Sequence, residues 1–187
     1  MNNNGKIYKT RREREGRSIE YLFVSHGETD IDKIIQYQYV GKINNKPIFN
    51  LGFGDYYENT TQIIDNIVSN NGDVYTVFNT VLSTIPELFN MHPNAIIMVR
   101  GSDSGSKFIQ SCRQTCKKNC QPHCKKENRR ITIYREYINK NYDSLNKEYT
   151  FFGNSGLAEN QVGIENYRAG EKYTSIFVIK NKRKLVL

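Results

Sequence analysis

The sequence predicts an α+β fold: a central antiparallel or mixed sheet, two main helices and a cysteine-rich insertion. Three observations predict it. Short strand-like runs separated by turn signals fill positions 21–56, with apolar and polar residues alternating over 34–40, the period of a half-buried strand. From Val74 the period turns helical, with Val77, Phe78, Val81, Leu82, Ile85, Leu88 and Phe89 on one face. A second helical face follows at Ile131, Tyr134, Ile138, Tyr142 and Leu145, with apolar strand segments on either side of it.

Residues 1–17 read as a flexible basic arm, in which Glu13 and Glu15 dilute Arg11, Arg12, Arg14 and Arg17. Residues 18–187 read as one domain, long enough to bury a real core. A short strand is expected at 21–25. The next, at 34–40, ends at Gly41, and Asn44-Asn45 signals a turn. Residues 47–56 form the following strand, where Gly52 and Gly54 suggest a bulge or a close backbone approach. A strand at 61–69, carrying Ile63, Ile64, Ile67 and Val68, completes an antiparallel meander. Pro86 is expected to kink the first helix or to start a second. A buried strand at 95–99 follows Pro93. After the second helix come a strand at 149–152 and a closing hairpin of 162–167 with 173–179.

All four cysteines, Cys112, Cys116, Cys120 and Cys124, fall within thirteen residues, inside an insertion at 104–128. Thiols this close point to one shared task, most often holding a metal. On a single unbroken helix Cys112 and Cys124 would stand about 18 Å apart, yet sulfurs sharing one zinc each lie about 2.3 Å from it. Pro122 ends any such helix near Asn119. The reading is a structural zinc knuckle, with Cys112 and Cys116 on one helical turn and Cys120 and Cys124 returning from a loop. His123 is an alternative fourth ligand. Reduced unliganded thiols and disulfides are the other readings, and disulfides need an oxidising compartment. Four protein ligands leave no open position, so the site reads as structural and not catalytic.

The insertion is also basic. Between Lys107 and Arg130 stand eight cations and one anion, Glu127, a net +7 out of +8 for the whole chain. Four thiolates around one zinc carry −2, so part of this charge offsets the metal site. The remainder makes a patch suited to nucleic acid or an acidic protein partner. No apolar run approaches the ~20 residues needed to span a bilayer. The first residues have no apolar core and so no secretory signal. A cytoplasmic protein is expected.

Catalytic chemistry is not assigned by any motif: there is no P-loop, serine-hydrolase elbow or metalloprotease pattern. Three weaker candidates stand beside the knuckle. Arg100-Gly101-Ser102, after a buried strand, could bind an anion through backbone amides and the guanidinium, or could simply be a capping turn. Ser25-His26-Gly27-Glu28 ends a strand, with no partner for the histidine evident in the sequence. Asp55, Asp65 and Asp73 would cluster if the meander closes on the first helix.

The stretch Asn50-Leu51-Gly52-Phe53-Gly54-Asp55, with Ser69-Asn70-Asn71-Gly72-Asp73 and Arg100-Gly101-Ser102, resembles a bacterial family of unknown function over most of residues 20–180. That resemblance implies no activity, and it makes the cysteine segment an insertion found in some members. The order of elements also resembles, more distantly, the GNAT acyltransferase layout. There a glycine turn at the helix start holds the pyrophosphate of acetyl-CoA, which the resemblance would place at Asn71 and Gly72, with Tyr134 as general acid. Ser69, Asp73 and Val74 depart from that pattern. The reading that combines these features is an uncharacterised binding module with a zinc knuckle and a basic patch. An acetyl-CoA-dependent N-acyltransferase is the alternative.

Overall fold

The computed structural model describes residues 5–57, 71–115, 120, 124–156 and 163–181, with 15 and 115 as backbone only. It is α+β, with eight strands and three helices among those residues. The chain divides into two compact units, Met1–Ala95 and Ile96–Leu187. No described helix is long and apolar enough to cross a membrane.

The first unit is a meander of four antiparallel strands. They are β1 (Arg11–Glu15), β2 (Ser18–Ser25), β3 (Ile31–Ile43) and β4 (Lys46–Asp55), each paired with the next. The expected flexible arm is therefore partly strand: residues 11–15 pair with 18–22 of β2. The expected strand at 61–69 lies outside the described residues. Asn44 and Asn45 both take positive φ, 48° and 62°, which gives the two-residue turn whose twist matches a right-handed hairpin. The bulge falls not at Gly52 or Gly54 but between Tyr39 and Gly41, where Gly41 takes φ 147° and Val40 is left exposed. Gly52 and Gly54 stay in register with Gln36 and Ile34.

One face of this sheet buries Tyr21, Phe23, Ile35, Tyr37 and Leu51. Helix α1 (Val74–Met91) contributes Val77, Val81, Leu88 and Phe89 to the same core. The two are joined by Tyr37 and Thr84, whose hydroxyls hydrogen-bond at 2.8 Å. Pro86 neither splits nor ends α1, because Leu88 and Phe89, both almost fully buried, hold the turn beyond it. Each such side chain contributes roughly 1.5–3 kcal/mol by burial.

The second unit holds β5 (Ile96–Arg100), α2 (Ser106–Thr115), α3 (Arg129–Leu145), β6 (Tyr149–Asn154), β7 (Ile164–Asn166) and β8 (Ser175–Lys180). Its strands run β5-β8-β6-β7, all antiparallel. The predicted closing hairpin is thus not a pair. β6 sits between its two arms, with Phe152 opposite both Asn166 and Phe177. Gly153 makes room for this arrangement: a Cβ there would lie 2.3 Å from the Tyr173 ring. Tyr173 packs in turn on Tyr167, and Tyr167 on Phe151 and Tyr142. The Tyr167 hydroxyl donates to Asn139 of α3 at 2.8 Å.

Candidate functional site

The cysteine segment is a closed excursion from the second unit, and one residue shuts its base. The backbone carbonyl of Asp103 accepts the N–H of Asn128 at 3.1 Å, and its Oδ2 accepts the N–H of Arg130 at 3.1 Å. Asn128, in the left-handed conformation, turns the chain into α3 without a capping side-chain bond of its own. Asp103 supplies that cap from across the base, a carboxylate placed against the positive end of the helix. Arg130 returns the tie by donating to the Ser102 hydroxyl at 2.7 Å. Gly101 is required here, because a Cβ would lie 2.5 Å from Asp103 Oδ1 and 2.6 Å from Ser104 Oγ.

Of the expected anion site, then, Gly101 and Ser102 belong to this closure, and the Arg130 amide in the first turn of α3 already serves an internal carboxylate. Arg100 ends β5 with its side chain exposed. Burial pushes the hydroxyl of Tyr134 up to about 12 despite the nearby Arg130 charge, which makes it a poor proton donor near neutrality.

Within the excursion the thiols converge. Cys112 sits in the second half of α2 and Cys124 at the far end of the loop. Their sulfurs are 3.4 Å apart, and both residues are buried. Two sulfurs of a tetrahedral site with zinc–sulfur bonds of about 2.3 Å stand about 3.8 Å apart, a little wider than this pair. Cys120, half-buried, accepts the Lys125 backbone N–H at 3.5 Å. A bond of that kind orients a thiolate ligand. None of Cys112, Cys120 and Cys124 is in a disulfide. Cys116 and His123 lie outside the described residues, and among the described ones no three His, Cys, Asp or Glu side chains are grouped to hold a metal. A four-ligand set on this pair would have to draw on Cys116, Cys120 or His123. In the same stretch of chain, Lys107, Arg113, Lys125, Lys126 and Arg129 are exposed.

The first unit carries a separate polar cluster where β2 and β4 end beside the start of α1. Asp73, just before α1, accepts the hydroxyls of Ser25 and Tyr8, each at 2.7 Å. Asn71 donates to Ser25 Oγ at 3.1 Å and to the Thr29 carbonyl at 3.0 Å, so it braces the loop that Gly72 (φ 69°) turns into the helix. Burial works to raise the Asp73 pKa. The Ser25 and Tyr8 hydroxyls, its own backbone N–H and the charge of Lys33 outweigh burial and hold it below the ordinary value. Lys33 itself is buried in an ion pair with Asp55 and lies over the Phe53 ring. Asp55 and Asp73 thus flank one lysine, as the clustering of aspartates suggested, while Asp65 lies outside the described residues. His26 finds its partner in Asp30, Nδ1 to Oδ1 at 2.9 Å, on the surface.

The sequence reading missed Lys33 and Tyr8. Lys33 was detectable as a cation on the inward side of an alternating strand. Tyr8 was hidden in what looked like a mobile arm.

No curated protein and no solved structure matches the chain. A family model does, over more than half of its length. The chain belongs to DUF6934, a family of unknown function, whose model matches residues 4–107 and ends before the first cysteine.

Proposed function

We propose that residues 106–128 form a zinc-held basic knuckle through which this protein binds nucleic acid. The observation that carries the reading is the convergence of Cys112 and Cys124 to 3.4 Å, with Lys107, Arg113, Lys125 and Lys126 exposed in the same segment and Arg129 exposed just past it. The zinc is structural. It fixes a loop with little apolar surface of its own, as small metal modules do. The exposed lysines and arginines then meet phosphates, a contact that positions the chain on the backbone without reading sequence.

The test has two arms. Metal analysis of untagged protein should find close to one zinc per chain. Fluorescence anisotropy with labelled duplex and single-stranded DNA and RNA should show binding that weakens steeply with salt and is lost after chelation. Zinc with no nucleic-acid binding at low salt would remove the nucleic-acid reading. Binding to an acidic peptide in its place would assign the patch to a protein partner.

A further inference from the structure

The chemistry of the close thiol pair extends beyond holding a metal. We propose that Cys112 and Cys124 are a peroxide-sensitive pair, and that their oxidation to a disulfide expels the zinc and opens the knuckle. The release of metal rests on the zinc reading above. The choice of partners rests on the structure alone.

Three observations support it. First, the two sulfurs are 3.4 Å apart and both residues are buried. Second, the pair joins residues twelve apart, which brings the end of α2 to the last turn before α3. Third, neither Cys112 nor Cys124 is already in a disulfide.

The step balances as follows. One thiolate attacks a peroxide oxygen and breaks the O–O bond, giving a sulfenic acid and hydroxide. The second thiolate attacks that sulfur, forms the S–S bond and expels a second hydroxide. Two protons convert both hydroxides to water. Two thiolates lose two electrons, and the hydroperoxide gains them. Zinc leaves because its two buried ligands are no longer thiolates.

The experiment uses the full zinc-loaded chain and hydrogen peroxide, small enough to reach buried sulfur. Zinc release is followed with a chromophoric chelator. The cross-link is mapped by mass spectrometry of a non-reducing digest. The expected result is a dominant Cys112–Cys124 peptide, one zinc released per link formed, and recovery on adding a dithiol and zinc. A zinc-loaded chain that cross-links mainly elsewhere, or that stops at sulfinic acids with no link, overturns the pairing and leaves the zinc reading intact. A chain that carries no zinc but still forms the 112–124 link overturns the zinc reading and upholds the pairing. In Cys124→Ser the dominant peptide should vanish while the other thiols still react. If the same peptide mass persists, the assignment fails.

Discussion

Lys33 occupies an inward position of β3, in line with Ile35 and Tyr37, where an apolar side chain is the rule. It is tolerated because Asp55 stands opposite it in the ladder and takes its charge. Both side chains are more than nine-tenths buried, at 8% and 3% exposure. Lys33→Met should therefore strand a buried carboxylate and cost about 3–5 kcal/mol, while adding Asp55→Leu should recover most of that loss. Urea titrations of the two variants would measure both numbers, and equal midpoints for the single and double variants would refute the pairing argument.

Asp73 gives a second prediction at this scale. Its folded pKa lies below the ordinary carboxylate value, so its stabilisation is complete above about pH 3.9 and is lost as pH falls through the lower folded value. Asp73→Asn should lower the melting temperature near neutrality, where that stabilisation is complete, and its profile should converge with wild type as pH falls, so that the acid limb is flatter. An unchanged acid limb would show that Ser25 and Tyr8 do not hold the carboxylate as described. Among single residues the cysteines were plain in the sequence and the ion pair was not. Spacing reveals groups close along the chain, whereas Lys33 and Asp55 meet only once strand register is fixed.

At the scale of elements, period and turn chemistry were the reliable signals. Both long helices and the Asn44-Asn45 hairpin were legible because each depends on neighbours in sequence. The order of β6, β7 and β8 was not. Adjacent strands in sequence suggested a hairpin, and only the seat of Tyr173 against Gly153 favours placing β6 between them. The limits of the cysteine segment were legible, since Asp103 and Asn128 close it at nearly the positions where composition changes. Serine at both Cys112 and Cys116 should abolish zinc binding and unfasten residues 106–128, while the strands keep their protection. Hydrogen exchange followed by mass spectrometry would resolve the two regions. A double variant that retains zinc and an unchanged exchange pattern would exclude the knuckle.

For the whole molecule, charge is the organising fact. A chain of net +8 places +7 between Lys107 and Arg130, so its long-range field has one source. If the five exposed cations there contact phosphates, the logarithm of duplex affinity should fall against the logarithm of salt with a slope of about −4 to −5. Replacing Lys125 and Lys126 by Gln should reduce that slope by about two, with the fold unchanged. Binding whose salt dependence ignores the substitution would locate the contact elsewhere. Function was the least legible property at this scale, because the family match describes residues 4–107 while the charge and the thiols lie past its end.

The outermost strand of the first unit has a consequence for solution behaviour. β1 stands at one end of the strand order, and its five residues read Arg-Arg-Glu-Arg-Glu. A strand at the rim of a sheet is a template on which other copies can stack. Here all five residues are of charged type, so an approaching copy in matching register would set like charges side by side and would have to strip water from each. The same five residues that looked like a loose polar leader thus act as a guard against fibrous self-association. Exchanging them for Val and Thr would convert a soluble rim into a polymerisation seed, visible as light scattering on standing.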